Sequence, residues 1–184
     1  MIVIGDSHVE GLAPHLPGIW TLSHRGWSTS KFFENMPEIP ASDQIVIVLG
    51  TNDHKSTERG IATGMVGIVK RIQKQQPKTR ITWVGPPSVV SGSLASLLED
   101  VIEIEQRVSG KLGIRWIDSR PFTTSGHQPD GIHLTSKGYR IFASGLMAAL
   151  SGKGTVGVLP VLGILAALGT AFYLLVSGDE RNKG

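Results

Sequence analysis

A serine closely follows the first apolar run of the chain. The run, residues 2–4, reads Ile-Val-Ile, and a Gly-Asp pair then leads to Ser7. A short β-branched run of this kind predicts a buried strand of a parallel sheet. Ligands of open α/β sheets bind at the carboxyl ends of the strands. Ser7 is therefore a candidate nucleophile, although a serine in this place also serves as a helix cap.

A carboxylate and an imidazole stand three residues apart in one predicted loop, as Asp130 and His133. A serine nucleophile needs a base that accepts its proton and an acid that orients the base. The spacing allows Asp130 to accept a hydrogen bond from Nδ1 of His133, while Nε2 faces Ser7. The three residues predict a Ser-His-Asp triad. The alternatives are an ordinary turn residue at 130 and a loop histidine without a catalytic role at 133.

Three groups are candidates to donate hydrogen bonds to an oxyanion. Asn52 follows residues 44–49, which carry the strongest strand pattern of the sequence. The backbone N–H groups of Ser7 and Gly26 are the other two. Donors of this type stabilise the negative charge that develops on a carbonyl oxygen during acyl transfer. We expect all three to meet at the carboxyl edge of the sheet.

Residues beside these donors are candidates for substrate contact. Trp27 offers an aromatic face on which a sugar ring can stack, and Thr51 and Asp53 flank Asn52. The alternatives are a core or pocket-wall position for Trp27 and a turn at the strand exit for Asn52 and Asp53. Four histidines without metal-binding spacing are expected at the surface or the pocket rim: His8, His24, His54 and His127.

Strands alternate with helices in the pattern that has to position these residues. Five short apolar runs predict strands over residues 1–4, 19–22, 44–49, 81–84 and 114–117. Apolar spacing and caps predict helices over residues 7–16, 31–35, 58–76 and 94–108, and a last one that includes residues 139–150. The alternation predicts an α/β fold, with a five-stranded parallel sheet in the order 2-1-3-4-5 and helices on both faces.

Composition excludes several classes of function. The chain has 184 residues, a net charge of +3 and no cysteine. Thiol catalysis, disulfides and cysteine-based zinc sites are therefore excluded. The mild charge and scattered basic residues argue against a nucleic-acid partner, since Lys70, Lys74 and Lys78 fall on one solvated helix face.

The motifs together resemble those of the SGNH (GDSL-type) hydrolase superfamily. They are Gly5-Asp6-Ser7-His8, the lone Gly26, Gly50-Thr51-Asn52-Asp53 and Asp130-Gly131-Ile132-His133-Leu134. The resemblance covers residues 1 to about 150 and departs from the usual form at position 8, where leucine is common. It implies a flavodoxin-like three-layer α/β/α sandwich and ester hydrolysis without a cofactor or metal. It also implies that Ser7 is the nucleophile, His133 the base, Asp130 its orienting acid, and Gly26 and Asn52 oxyanion donors.

An uncharged apolar segment, Val156–Val176, follows the predicted hydrolase domain. As a helix it would extend about 31 Å, which matches the hydrocarbon core of a bilayer. We therefore predict a domain over residues 1–151 and a single-pass membrane anchor with a polar tail over 152–184. The alternative is a buried core helix. Flanking charges do not determine the orientation, and small residues at helical spacing predict a helix–helix contact that could form a homo-oligomer: Gly163, Ala167 and Ala171.

The leading hypothesis is a membrane-anchored serine esterase that removes acyl groups, acetyl among them, from an envelope polysaccharide or peptidoglycan. A lipid-directed esterase, lysophospholipase or thioesterase is the second hypothesis, because an anchor would bring the site near lipid. The third is a structural membrane or virion protein that carries a hydrolase-fold domain. No secretory signal is recognised before the first strand, which is compatible with delivery by a phage particle.

Overall fold

The computed structural model describes residues 1–90 and 92–152, which form a parallel sheet between two helical layers. The strands are β1 (Ile2–Gly5), β2 (Trp20–Ser23), β3 (Gln44–Val48), β4 (Arg80–Val84) and β5 (Arg115–Ile117). The helices are α1 (Ser7–Leu12), α2 (Thr29–Glu34), α3 (Glu58–Gln75), α4 (Gly92–Leu112) and α5 (Ser136–Leu150). Short 3₁₀ turns cover Ala13–His15, Thr51–Asp53 and Arg120–Phe122.

The five strands lie in the order β2-β1-β3-β4-β5, and every pairing is parallel. This confirms the predicted fold class, strand number and order. The chain leaves β1 toward β2 on one side and later returns to place β3 on the other. The crevice above β1 and β3 is thus the topological switch point, where ligands of such sheets bind.

Alternate residues of the central strands supply two separate cores. Ile4 and Ile47 pack with α2, α3 and α4 on one face of the sheet. Val3 and Val46 pack with α1 and α5 on the other face. Because side chains alternate along a strand, the consecutive apolar residues 2–4 of β1 and 45–48 of β3 are what two covered faces require.

The turn from β1 into α1 is tight, and it delivers Ser7 to the carboxyl edge of the sheet. A Cβ at Gly5 would lie 1.9 Å from the carbonyl oxygen of Val48, so only glycine fits there. The next residue, Asp6, donates its backbone N–H to the same carbonyl at 3.2 Å. Its side-chain oxygen Oδ1 accepts the N–H of His8 at 2.9 Å and caps α1.

Helix boundaries differ modestly from those predicted. The first helix was expected to reach residue 16, but α1 ends at Leu12 and a 3₁₀ turn that contains Pro14 follows. Proline lacks the N–H that an α-helix would use there. In the opposite direction, α4 extends beyond the predicted 94–108 at both ends.

The predicted membrane span, Val156–Val176, lies outside the described residues, as do Gly163, Ala167 and Ala171. Among the helices within residues 1–90 and 92–152, none combines the length and the apolar character that a bilayer crossing needs. The proposed division at residue 151 falls just after the end of α5.

Candidate active site

Ser7, His133 and Asp130 form a hydrogen-bonded chain at the carboxyl edge of the sheet. The Oγ atom of Ser7 lies 3.0 Å from Nε2 of His133. On the other side of the ring, Nδ1 lies 2.6 Å from Oδ2 of Asp130. The residues are 126 positions apart in the chain at the serine–histidine contact, so only the fold brings them together.

The backbone of its own loop orients the Asp130 carboxylate toward the imidazole of His133. Its second oxygen, Oδ1, accepts the backbone N–H groups of Ile132 and His133, each at 2.9 Å. The hydrogen bond from the His133 side chain, followed by these two backbone bonds, lowers the pKa of Asp130 to about 2. The carboxylate, which is also exposed to solvent, is therefore ionised throughout the neutral range.

The loop that carries Asp130 and His133 is fastened at both of its ends. The backbone N–H of Gln128 donates to the carbonyl of His133 at 2.8 Å, and the N–H of Thr135 donates to the carbonyl of Gly126 at 2.6 Å. Thr135 also caps α5 by accepting the N–H of Gly138 at 3.3 Å. Because the loop leads straight into a packed helix, the imidazole has a defined position relative to Ser7.

Asn52 joins the loops that follow the three strands nearest the switch point. Its side-chain amide donates to Oδ2 of Asp6 at 3.1 Å and to the backbone carbonyl of Trp27 at 3.2 Å. These bonds use both hydrogens of the amide, so the predicted oxyanion donor is already engaged with two protein acceptors. An incoming oxyanion would have to share or replace one of the two acceptors. Gly26 lies exposed immediately before Trp27.

Asp6 is the buried carboxyl group that holds Asn52. Its side chain is 1% exposed, and burial raises its pKa to about 7. The hydrogen bond from the backbone N–H of His8 counteracts part of that rise. Nearby Asp53 raises the pKa further, while His133 and the Asn52 amide lower it. The charge of Asp6 thus changes near neutral pH.

A shallow cavity of about 460 Å³ opens beside Ser7, Asp130 and His133. An ion pair of Glu10 and Arg25 forms part of its wall, with two hydrogen bonds of 2.5 and 2.6 Å. The sequence motifs do not point to these two residues, since α1 and the turn after β2 approach each other only in the folded chain. The cavity is lined by Ser7, Glu10, Gly11, Arg25, Gln128, Asp130, His133 and Tyr139.

No group of three or more histidine, aspartate or glutamate side chains is arranged to hold a metal ion within residues 1–90 and 92–152. The buried acids of this region are instead engaged with protein groups or enclosed by the core. The arrangement of serine, imidazole and carboxylate is one that performs acyl transfer through a covalent intermediate.

A model of the GDSL-like lipase/acylhydrolase family matches residues 3–141, which include every motif described above. The chain belongs to this family. Membership implies an ester hydrolase activity, and it confirms the resemblance to the GDSL-type hydrolases seen in the motifs. No curated protein gives a significant match.

Solved structures share the fold of this GDSL-like hydrolase at low sequence identity. A Streptococcus pneumonia protein described under the name platelet activating factor is 20% identical, with a TM-score of 0.70 over 81% of this chain and 82% of its own. An aryl esterase of M. smegmatis is 16% identical, with a TM-score of 0.63 over 83% and 99%. A carbohydrate acetylesterase family member of Sinorhizobium meliloti is 16% identical, with a TM-score of 0.64 over 83% and 97%.

His8 of this GDSL-like hydrolase is fully buried, so its predicted place at the surface or pocket rim is wrong. It lies on the inner face of α1, and its Nδ1 is 3.2 Å from the hydroxyl of Tyr139 on α5. Its ring centroid lies 5.5 Å from that of His133. Burial lowers the pKa of His8 to about 3, which keeps its imidazole neutral beside His133. The partner of His8 could not be read from local sequence.

The predicted substrate contacts fall into two groups in this GDSL-like hydrolase. Asp53 is fully buried, and its carboxylate accepts hydrogen bonds from the N–H and hydroxyl of Thr29 and from the hydroxyl of Ser56. These contacts fasten α2 to the loop after β3, and they disfavour a contact between Asp53 and substrate. Thr51 is also buried. Trp27, in contrast, is only partly buried.

Proposed function

We propose that Ser7, His133 and Asp130 are the catalytic triad of an esterase. His133 Nε2 accepts the proton of the Ser7 hydroxyl as Oγ attacks the ester carbonyl, and the imidazolium is stabilised by the ionised Asp130. The proton then passes to the leaving alcohol, and an acyl group remains on Ser7. A water molecule, deprotonated by His133, releases the acid and restores the serine. The two hydrogen bonds along this chain are the observation that carries the proposal.

The developing oxyanion would be stabilised by the backbone N–H groups of Ser7 and Gly26 and by the Asn52 amide. The N–H of Ser7 is suited to this because it lies at the first position of α1, where helix N–H groups have no partner within the helix. For Asn52, the negative oxyanion would compete with Asp6 and the carbonyl of Trp27. A protonated Asp6 is the weaker acceptor, so its near-neutral pKa favours release of the amide during reaction.

We further propose that the substrate carries a short acyl group, such as acetyl, on a polar carrier of the polysaccharide or peptidoglycan type. The residues that line the cavity in the described part of the chain include no aliphatic side chain. A long acyl chain would therefore gain little from burial there. The charges of Glu10 and Arg25 offset each other in their ion pair, and such paired polar groups suit hydroxyl-rich ligands.

Trp27 is the side chain that best suits contact with a sugar ring. Its ring stacks on His24, with centroids 3.8 Å apart and planes 10° apart, so one face is already supported. The ring is only partly buried. A rigid aromatic platform of this kind favours carbohydrate over a flexible lipid chain.

A panel of esters tests the activity and separates the candidate substrates. Hydrolysis of p-nitrophenyl acetate, butyrate and octanoate is measured beside acetylated xylo-oligosaccharide and lysophosphatidylcholine. We expect kcat/KM to fall at least about tenfold from acetate to octanoate. Preference for octanoate or lysophospholipid would instead support the lipid-directed alternative, and a folded protein without activity on any ester would support the structural one.

The control for this panel is a matched pair of serine variants. Ser7→Ala should remove the activity, whereas Ser144→Ala should retain it. Ser144 is exposed on α5, where its hydroxyl donates only to the carbonyl of Arg140 on the preceding turn at 3.0 Å. Activity that persists in Ser7→Ala would assign the hydrolysis to another nucleophile.

We also propose that Val156–Val176 tethers the hydrolase domain to a membrane. The support is the sequence alone, because an uncharged apolar segment of this length matches the bilayer core. Flotation with phosphatidylcholine vesicles compares the full chain with a chain ending at Ser151, which retains all of α5. We expect only the full chain to float and both to hydrolyse p-nitrophenyl acetate. A full chain that stays in the aqueous fraction would contradict the proposed membrane anchor.

A further inference from the structure

Glu105 is a buried acid that the proposed mechanism does not use. It lies on the inner face of α4 with no solvent exposure, among the apolar residues that pack against the sheet. Neither of its carboxyl oxygens has a hydrogen-bond partner. A buried polar group without partners destabilises a fold, and an apolar side chain would pack at this place without that penalty. The position of the carboxyl therefore needs another explanation.

The carboxyl of Glu105 occupies space that Gly50 leaves open, and it lies at ordinary contact distance from Gly85. A Cβ at Gly50 would lie 2.4 Å from its Oε1 atom, and a Cβ at Gly85 would lie 3.5 Å from its Oε2 atom. These glycines follow β3 and β4, so the acid reaches the carboxyl edge of the sheet from its α4 face. Gly50 also has a φ of 116°, which other residues rarely adopt.

Gly50 begins the turn that presents Asn52. Its carbonyl accepts the backbone N–H of Asp53 at 2.9 Å, and this bond closes the 3₁₀ turn Thr51–Asp53. Any side chain at position 50 would meet the Glu105 carboxyl, and loss of that carboxyl would leave a void beneath the turn. The placement of the Asn52 amide thus depends on the group that fills this space.

We propose that Glu105 is a positioning residue, whose carboxyl fills the space beside Gly50 and holds the turn that presents Asn52 to the oxyanion. The inference rests on the proposed esterase function, in which Asn52 is an oxyanion donor. Burial raises the pKa of Glu105 well above its ordinary value, and the charges of Asp53 and Asp6 raise it further. The indole N–H of Trp83 lowers it in part but meets neither oxygen in hydrogen-bonding geometry. Burial thus favours the uncharged acid, whose shape and charge a glutamine matches.

The test compares three substitutions at this position with a control on the same helix. Glu105→Gln keeps the shape, Glu105→Leu ends one bond short of the carboxyl oxygens and so no longer fills the space beside Gly50, and Glu105→Asp withdraws the carboxyl by one methylene. The control is Ser109→Ala, one turn further along α4, because Ser109 is equally buried and its hydroxyl is also unpaired. Each full-length variant is assayed with p-nitrophenyl acetate, and the exchange of the Asp53 amide hydrogen is followed by NMR.

We expect Glu105→Leu and Glu105→Asp to lower kcat at least about tenfold with KM within about twofold, because a misplaced oxyanion donor acts in the transition state. The Asp53 amide should exchange faster in both. Glu105→Gln and Ser109→Ala should keep kcat within about twofold of wild type. If Glu105→Leu does not fold, the milder Glu105→Asp decides the question by itself.

An unchanged kcat in a folded Glu105→Asp variant overturns the proposal, whether or not the exchange rate of the Asp53 amide hydrogen changes. Equal losses of kcat in Ser109→Ala and Glu105→Asp overturn it too, because they would reduce the effect to general loosening of α4. The esterase proposal fails separately, by absence of Ser7-dependent hydrolysis in the wild type. In that case the Asp53 amide hydrogen decides the structural part of the proposal. Faster exchange in Glu105→Asp, but not in Ser109→Ala, would still show that the acid holds the turn. Unchanged exchange in Glu105→Asp would show that it does not.

Discussion

The buried carboxyl of Asp6 makes the stability of the protein depend on pH in a way that the structure allows us to calculate. Burial raises its pKa from an ordinary 3.8 to about 7. Between these values the unfolded chain has released the proton and the folded chain still holds it. Raising the pH therefore favours unfolding in this range, and the stability that Asp6 contributes at low pH is lost by the time the pH passes 7.

The size of the effect follows from the difference between the two pKa values. The difference, 7 − 3.8, is about three pKa units, and each unit corresponds to 1.36 kcal/mol, so the loss is about 4 kcal/mol. Asp6→Asn removes the titration, and it also disturbs the bond from Asn52 because an amide nitrogen would face the Asn52 amide. That second effect is constant with pH, so only the pH-dependent difference between variant and wild type reports the ionisation.

The measurement is urea unfolding followed by tryptophan fluorescence, at intervals from pH 4 to pH 8, for wild type and Asp6→Asn. Trp83 is fully buried and should report the transition. We expect the wild type to lose about 4 kcal/mol relative to the variant across this range. A difference that stays constant from pH 4 to 8 would refute the reasoning, because it would mean that Asp6 has the same pKa in the folded and unfolded chains.

Three further predictions concern the proposed catalytic residues. Ser7→Ala should lower kcat for p-nitrophenyl acetate by on the order of 10⁶, to the background of the remaining groups, with unchanged thermal unfolding; more than a tenth of wild-type turnover would exclude Ser7 as nucleophile. His133→Ala should be nearly as damaging, and Asp130→Asn should be equally or less so because only the orienting charge is lost; wild-type kcat in Asp130→Asn would contradict that role. Asn52→Ala should lower kcat about 10²–10³-fold with a smaller change in KM. A raised KM with unchanged kcat would instead make Asn52 a substrate-binding residue.

The parallel sheet and the members of the site could be predicted from local sequence, for physical reasons. A β-branched apolar run at β1 or β3 has to be buried on both faces, so it forms an internal parallel strand. The short Gly-Asp-Ser and Asp-Gly-Ile-His segments encode turns in which the aspartate carboxylate bonds nearby groups. Asp6 accepts the N–H of His8, and the partners of the Asp130 carboxylate all lie within three residues. Such contacts depend on spacing along the chain and can be read from it.

Other features depended on approaches between distant segments, which spacing along the chain does not encode. The burial of His8 follows from its contact with Tyr139, which is 131 positions away, and the Asn52 amide turns to Asp6 and Trp27 because three loops converge. Glu105 reads in the sequence as a polar residue on an amphipathic helix. Only the packing of α4 against the strand ends places its carboxyl beside Gly50. Local sequence thus determined which chemical groups the site contains. Tertiary packing decided which of these groups are desolvated and which residues they contact, because desolvation depends on every segment that covers a group.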